Sequence, residues 1–279
     1  TISVVGSTIV LGGRFSTVEF NFDGFSAVSS TVNVTGLVDN LESVFPINNT
    51  TNTWRFTGST ITGGEMNSVG GAALNLTGNL LTITNVQINA EIVSNATNTT
   101  LSGSTRFTRL TLLGTAGVVL GTGYSLRDEI LITGASTFGR GVGASTAASI
   151  ASTGVVHFDS TATGTFSLGS GSAVVVNHGL IVSESVSTVR ISGAPFMNSG
   201  TIRANAGARI ELAATTFVNP GQLDIQGGTI DLQGTIQGFE FNGAGVTRNG
   251  GAFNLNGVLN NAGNTLSLPN AGAMTLLAN

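Results

Sequence analysis

Val176-Asn177-His178-Gly179-Leu180-Ile181 recurs as Met197-Asn198-Ser199-Gly200-Thr201-Ile202 and again as Val218-Asn219-Pro220-Gly221-Gln222-Leu223, so three asparagines stand 21 apart. A second segment keeps step: Val189-Arg190-Ile191, then Ile210-Glu211-Leu212 at an interval of 21, then Ile230-Asp231-Leu232 at 20. A fixed period of this length marks a repeat architecture in which each repeat stacks on its neighbours to bury one continuous core.

Working outward, the interval persists with different residues. Leu110-Thr111-Leu112, Ile130-Leu131-Ile132 and the weaker Ile150-Ala151-Ser152 are each 20 apart, and Val118, Phe138 and Phe158 keep the same distance. Further back, Trp54-Arg55-Phe56-Thr57-Gly58 matches Leu74-Asn75-Leu76-Thr77-Gly78 at 20, and Val32-Asn33-Val34-Thr35-Gly36 precedes the former by 22. Within each unit the reading is apolar, polar, apolar, the period of a strand with one buried face. Gly, Asn, Thr and Ser interrupt every apolar stretch too soon for a helix.

Short strands, no helix and a constant short repeat predict an all-β chain, a parallel β-solenoid with one repeat of 20 to 21 per coil. The general preference for right-handed crossovers makes it a right-handed β-helix. At that coil length 279 residues give roughly thirteen coils in a single elongated unit. Residues 1–106 read as less regular and 107–279 as most regular.

Composition removes several functions. Apolar residues make up 41% and charged ones 9%, which excludes disorder. The ten basic residues are all arginine and unclustered, and the net charge is −4, so no nucleic acid is expected. No cysteine means no disulfide, thiolate nucleophile or thiolate metal site. No apolar run reaches the ~20 residues of a spanning helix, so membrane insertion by a helix is not expected.

Candidate residues follow from aligning the coils. Asn177, Asn198 and Asn219 form a corner column whose amides can hydrogen-bond along the axis. Gly179, Gly200 and Gly221 are expected to supply positive-φ turns. Arg190, Glu211 and Asp231 form one outward column and Arg203 with Asp224 another, read as solvated surface charges. Glu211 and Asp231 are the weak alternative: carboxylates one strand spacing apart, about 5 Å, could serve retaining glycoside hydrolysis. His157 and His178 are 21 apart but fall at different strand registers, and no metal site or cofactor is expected. Gly227-Gly228-Thr229-Ile230-Asp231 resembles part of the calcium-binding nonapeptide, but it does not repeat in tandem, so calcium is not expected. Sequons begin at Asn33, Asn48, Asn49, Asn75, Asn95 and Asn98. Thr-x-Thr triplets at 60–62, 82–84 and 161–165 invite an ice-binding reading, but they hold no constant spacing.

Asn198-Ser-Gly-Thr-Ile202, the run Gly227 to Gly234 and above all the run Asn249 to Leu268 resemble giant repeat-rich bacterial extracellular β-solenoids of planctomycete and cyanobacterial type. Autotransporter passengers and filamentous-haemagglutinin-like adhesins are similar more distantly. The resemblance covers about residues 107–279. It implies a non-enzymatic exported fibre or adhesin segment at the cell surface, possessing no family catalytic motif to carry over, with surface glycans as candidate partners. The alternative is a carbohydrate-active β-helix, a polysaccharide lyase, hydrolase or tailspike-like enzyme, for which Trp54 and Tyr124 are the aromatic candidates. The chain opens on Thr1 without Met and closes on the apolar run Met274 to Asn279, so an uncapped segment is expected that stacks head to tail or continues into flanking chain.

Overall fold

The protein is described by a computed structural model covering residues 2–20, 22–48, 52–140, 147–237, 245–261 and 275–276. Asn49, most of the closing run Met274 to Asn279 and the side chain of Asn48 lie outside the described residues. The chain is all-β, a parallel solenoid of about 11 turns. It forms two compact units, Thr1–Val119 and Leu120–Asn279.

In the first unit one sheet stacks Thr8–Leu11, Ser30–Val34, Asn52–Thr57, Leu74–Thr77, Gln87–Ser94 and Arg106–Leu112 in parallel order. A second stacks Arg14–Ser16, Leu37–Asp39, Thr60–Thr62, Leu81–Thr84 and Thr99–Ser102. Alternation makes each strand amphipathic: Val32 and Val34 stand over Trp54 and Phe56, and all four are buried. Phe20, Phe22, Phe25, Phe45 and Trp54 close the start of this core, with Phe45 edge-on to Trp54 at 5.0 Å between centroids.

The second unit has three sheets per coil. The first runs Glu129–Ile132, Val155–Phe158, Leu180–Ser183, Thr201–Ala204, Gln222–Gln226 and Val246–Asn249. The second runs from Thr137–Arg140 through Phe166–Ser167, Thr188–Gly193, Arg209–Ala214 and Thr229–Leu232 to Ala252–Leu255 and Thr275–Leu276. The third holds Ser125–Leu126, Ser149–Ile150, Val175–Asn177, Phe196–Asn198 and Phe217–Val218. Ile181, Ile202 and Leu223 superpose in one fully buried column, each removing about 1.5–3 kcal/mol worth of side chain from water.

Two expected columns are corrected. Phe158 does not continue from Phe138: it stands beside Ile132 and Ser183 in the first sheet, whereas Phe138 stands on Phe166 with rings 4.6 Å apart. Ile150 belongs to the third sheet, between Leu126 and Asn177, not to the column of Ile130. The reason is coil length. Ile130 pairs with Val156 and Val156 with Ile181, intervals of 26 and 25, so a count of 20 lands on another face. Longer coils also explain about 11 turns instead of thirteen. A spacing of 20 to 21 holds from Val189 through Ile210 to Ile230 and lengthens again to 23 at Phe253.

Gly179, Gly200 and Gly221 are also corrected, since none has positive φ. They stack on one another, and a methyl group on Gly200 would overlap the carbonyl oxygen of Gly179, just as one on Gly221 would overlap that of Gly200. Glycine is required here by close approach of backbone to backbone between successive coils.

Candidate functional site

At the corner after the third sheet, Asn177, Asn198 and Asn219 are fully buried. Asn177 Nδ2 donates to Asn198 Oδ1 at 2.7 Å, and Asn198 Nδ2 donates to Asn219 Oδ1 at 2.7 Å. The same amide groups reach the turn backbone: Asn177 Nδ2 to the Thr201 carbonyl at 3.3 Å, Asn198 Nδ2 to that of Gln222 at 3.1 Å, and the Gly179 N–H to Asn177 Oδ1 at 3.1 Å. The side chains pin a corner where the glycine stack leaves no room for anything larger. That arrangement leaves Asn198 no lone amide proton or oxygen aimed at solvent.

The carboxylate columns keep their expected registers, Arg190 over Glu211 over Asp231 and Arg203 over Asp224. Their expected solvation is corrected, because the Asp231 side chain is 0% exposed and that of Asp224 only 7%. Alternation points both outward, but neighbouring polar side chains cover them. Arg209 Nε lies 2.6 Å from Asp231 Oδ2, while Asn254 and Asn256 donate to Oδ1 at 2.8 and 3.1 Å. Glu211 faces Arg190 at 3.2 Å without good hydrogen-bond alignment. Every member of the candidate Glu211 and Asp231 pair is therefore matched to a guanidinium.

Asp224 is held by Arg203 Nε at 2.7 Å, Gln226 Nε2 at 2.6 Å and Thr247 Oγ1 at 3.0 Å. Burial alone would raise its pKa, but the three hydrogen bonds and the Arg203 charge outweigh it and hold the carboxyl below its ordinary value. A lowered folded pKa stabilises fully above the unfolded value of ~3.9 and is lost as pH falls through the folded one. The stability gap between wild type and Asp224→Asn is therefore expected to be widest above about pH 5 and to shrink below about pH 4 as pH falls toward the lowered folded value. Urea denaturation at pH 7 and pH 3 checks it, and a gap that stays constant would contradict the assignment.

His157 lies outward between Glu129 and Glu184, 3.8 Å from one carboxylate and 3.6 Å from the other, both too long for hydrogen bonds. His178 follows Asn177 at the exposed corner, so the two histidines are not neighbours. Among the described residues no group of three His, Asp or Glu is arranged to hold a metal ion. In the first unit a shallow cavity of about 460 Å³ is lined by Glu42, Glu65, Asn85, Gln87 and Ser104 among others. Asn85 is already committed there, its Oδ1 accepting from the Ser104 N–H at 2.9 Å. Trp54 and Tyr124, the aromatic candidates for a sugar platform, are both buried in the core, 4% and 1% exposed. Of the sequons, Asn95 is exposed and Asn33, Asn75 and Asn98 are half-buried.

The Thr-x-Thr triplets resolve differently from their spacing. Thr60 and Thr62 stand in register with Thr82 and Thr84, and these with Thr100 and Ser102, although the intervals are 22 and 18. Residues 161–165 lie outside the strands. Compared with protein-family models, curated proteins and solved structures, the chain finds no match.

Proposed function

We propose that this chain is a non-enzymatic structural or adhesive β-solenoid, exported to the cell surface or matrix as a segment of a longer fibre or as a subunit stacking head to tail. The observation that carries the reading is the state of the carboxylates. A general acid or nucleophile needs a carboxyl group free to meet substrate, with its charge tuned for proton transfer. Asp231 is instead enclosed by Arg209, Asn254 and Asn256, and Glu211 is faced by Arg190. These groups tie coil to coil, as the Asn column does.

Export and surface location rest on the likeness of the repeats to bacterial surface solenoids. Stacking is supported by the parallel ladders themselves, which join successive coils through the same backbone hydrogen bonds that would join a further coil. A parallel strand with an open edge accepts another by the same ladder.

The test is release of reducing or unsaturated ends from a panel of acidic and neutral polysaccharides by wild type, Glu211→Gln and Asp231→Asn. No product from any of the three is expected. Cleavage by wild type that disappears in either variant would replace this reading with the carbohydrate-active one.

A further inference from the structure

We propose that the outward face of the second sheet in the first unit binds crystalline water, an ice surface, through two rows of small hydroxyl side chains. One row is Thr60, Thr82 and Thr100, and the other is Thr62, Thr84 and Ser102. Between them Ile61, Ile83 and Leu101 point inward and are fully buried, which fixes the strands beneath the face. All six outward side chains are partly exposed.

Strand geometry sets the mesh. Neighbours along a row are about 4.8 Å apart and the two rows about 6.6 Å apart, twice the rise per residue. Threonine is branched at Cβ and stiff in χ1, so its methyl and hydroxyl keep these positions. The repeat along a row lies close to that of the oxygen rows on a prism plane of hexagonal ice, and the gap between the two rows is somewhat narrower than the matching ice repeat. Water held on it is already placed for the lattice and loses little further entropy on freezing in.

The chemistry of the face excludes commoner ligands. None of the six positions is charged, and the nearest charge in the rows, Asp39 beside Thr62, is paired with Arg14 at 3.2 Å. An anion or a nucleic acid therefore finds nothing to neutralise. The face offers neither an aromatic ring for a sugar to stack on nor a broad apolar patch for a protein core. One row has its hydroxyls available, since those of Thr60, Thr82 and Thr100 have no partner among the described residues; in the other row Thr84 and Ser102 hydrogen-bond each other at 2.7 Å and Thr62 donates to the Val38 carbonyl at 3.3 Å. Three coils make a small face, so the expected activity is adsorption to ice and inhibition of recrystallisation, with little depression of the freezing point.

The experiment partitions purified protein between slowly grown ice and the remaining liquid. Wild type is expected in the ice fraction, and the double variant Thr82→Tyr/Thr84→Tyr in the centre of the face is expected to partition about tenfold less, as loss of one anchoring contact of about 1.4 kcal/mol would give. Thr100→Lys, at the edge of the same row, is a second variant against misfolding, with circular dichroism of both compared with wild type. Thr161→Tyr, in a triplet that is off the sheet, should partition as wild type. Exclusion of wild type from ice to the level of an inert protein overturns the proposal. So does equal partitioning of wild type and folded face variants, or loss of partitioning in Thr161→Tyr.

Discussion

Asn198→Leu is expected to lower the unfolding free energy by about 3 kcal/mol. The side chain sits in the middle of the ladder, so its loss strands groups on both sides. Asn177 Nδ2 loses its 2.7 Å acceptor, Asn219 Oδ1 loses its 2.7 Å donor, and the Gln222 carbonyl loses a donor at 3.1 Å. Each buried group left without a partner costs about 1–3 kcal/mol, and part of this is recovered where Asn177 keeps its bond to the Thr201 carbonyl. Leucine branches at Cγ as asparagine does but is larger, so no cavity opens and part of the cost is overpacking against the glycine stack. Urea denaturation measures it against Ser199→Ala at the exposed neighbouring position. A cost under about 1 kcal/mol would mean that the ladder contributes nothing beyond packing.

The parts of this fold that are legible in the sequence share one property: their coils have nearly constant length. Between Val176 and Leu232 successive coils differ by no more than a single residue, so counting finds the registers of Asn177 with Asn198, Ile181 with Ile202 and Glu211 with Asp231. Hydrogen bonding sets the register, however, and a turn can lengthen without disturbing the ladder. Counting misplaces Phe158 because the coils around it are longer, 26 from Ile132 to Phe158 and 28 from Phe138 to Phe166. The threonine rows escape it for the converse reason, because intervals of 22 and 18 conceal a perfect stack.

Other features are invisible to pattern alone. Sequence marks a glycine but does not distinguish positive φ from close approach, and at Gly200 the second is at work. Alternation assigns Asp231 to the outward face, and an outward carboxylate is ordinarily solvated. Its cover comes from Arg209 at the head of the neighbouring strand and from Asn254 and Asn256 one coil on, 23 and 25 positions away. Only a register accurate across three coils shows that these four residues meet.

That enclosure predicts an asymmetry between the two partners of the pair. Arg209 is half exposed and Asp231 is not exposed at all, so each responds differently when left alone. In Arg209→Met the Asp231 carboxylate stays buried with only the Asn254 and Asn256 amides to hold it, and the expected cost is about 3–5 kcal/mol, the usual penalty for an uncompensated buried charge. In Asp231→Leu the orphaned guanidinium can turn to water, and only the amide donors of Asn254 and Asn256 lose an acceptor, so a smaller cost of about 1–3 kcal/mol is expected. The double variant Arg209→Met/Asp231→Leu removes the stranded charge and should be about as stable as Asp231→Leu alone, giving a coupling equal to the Arg209→Met cost, about 3–5 kcal/mol, between the sites. Denaturation of the four proteins at neutral pH closes the cycle. Additive costs, or a greater loss in Asp231→Leu than in Arg209→Met, would show that the carboxylate is solvated after all and would return it to the candidates for chemistry.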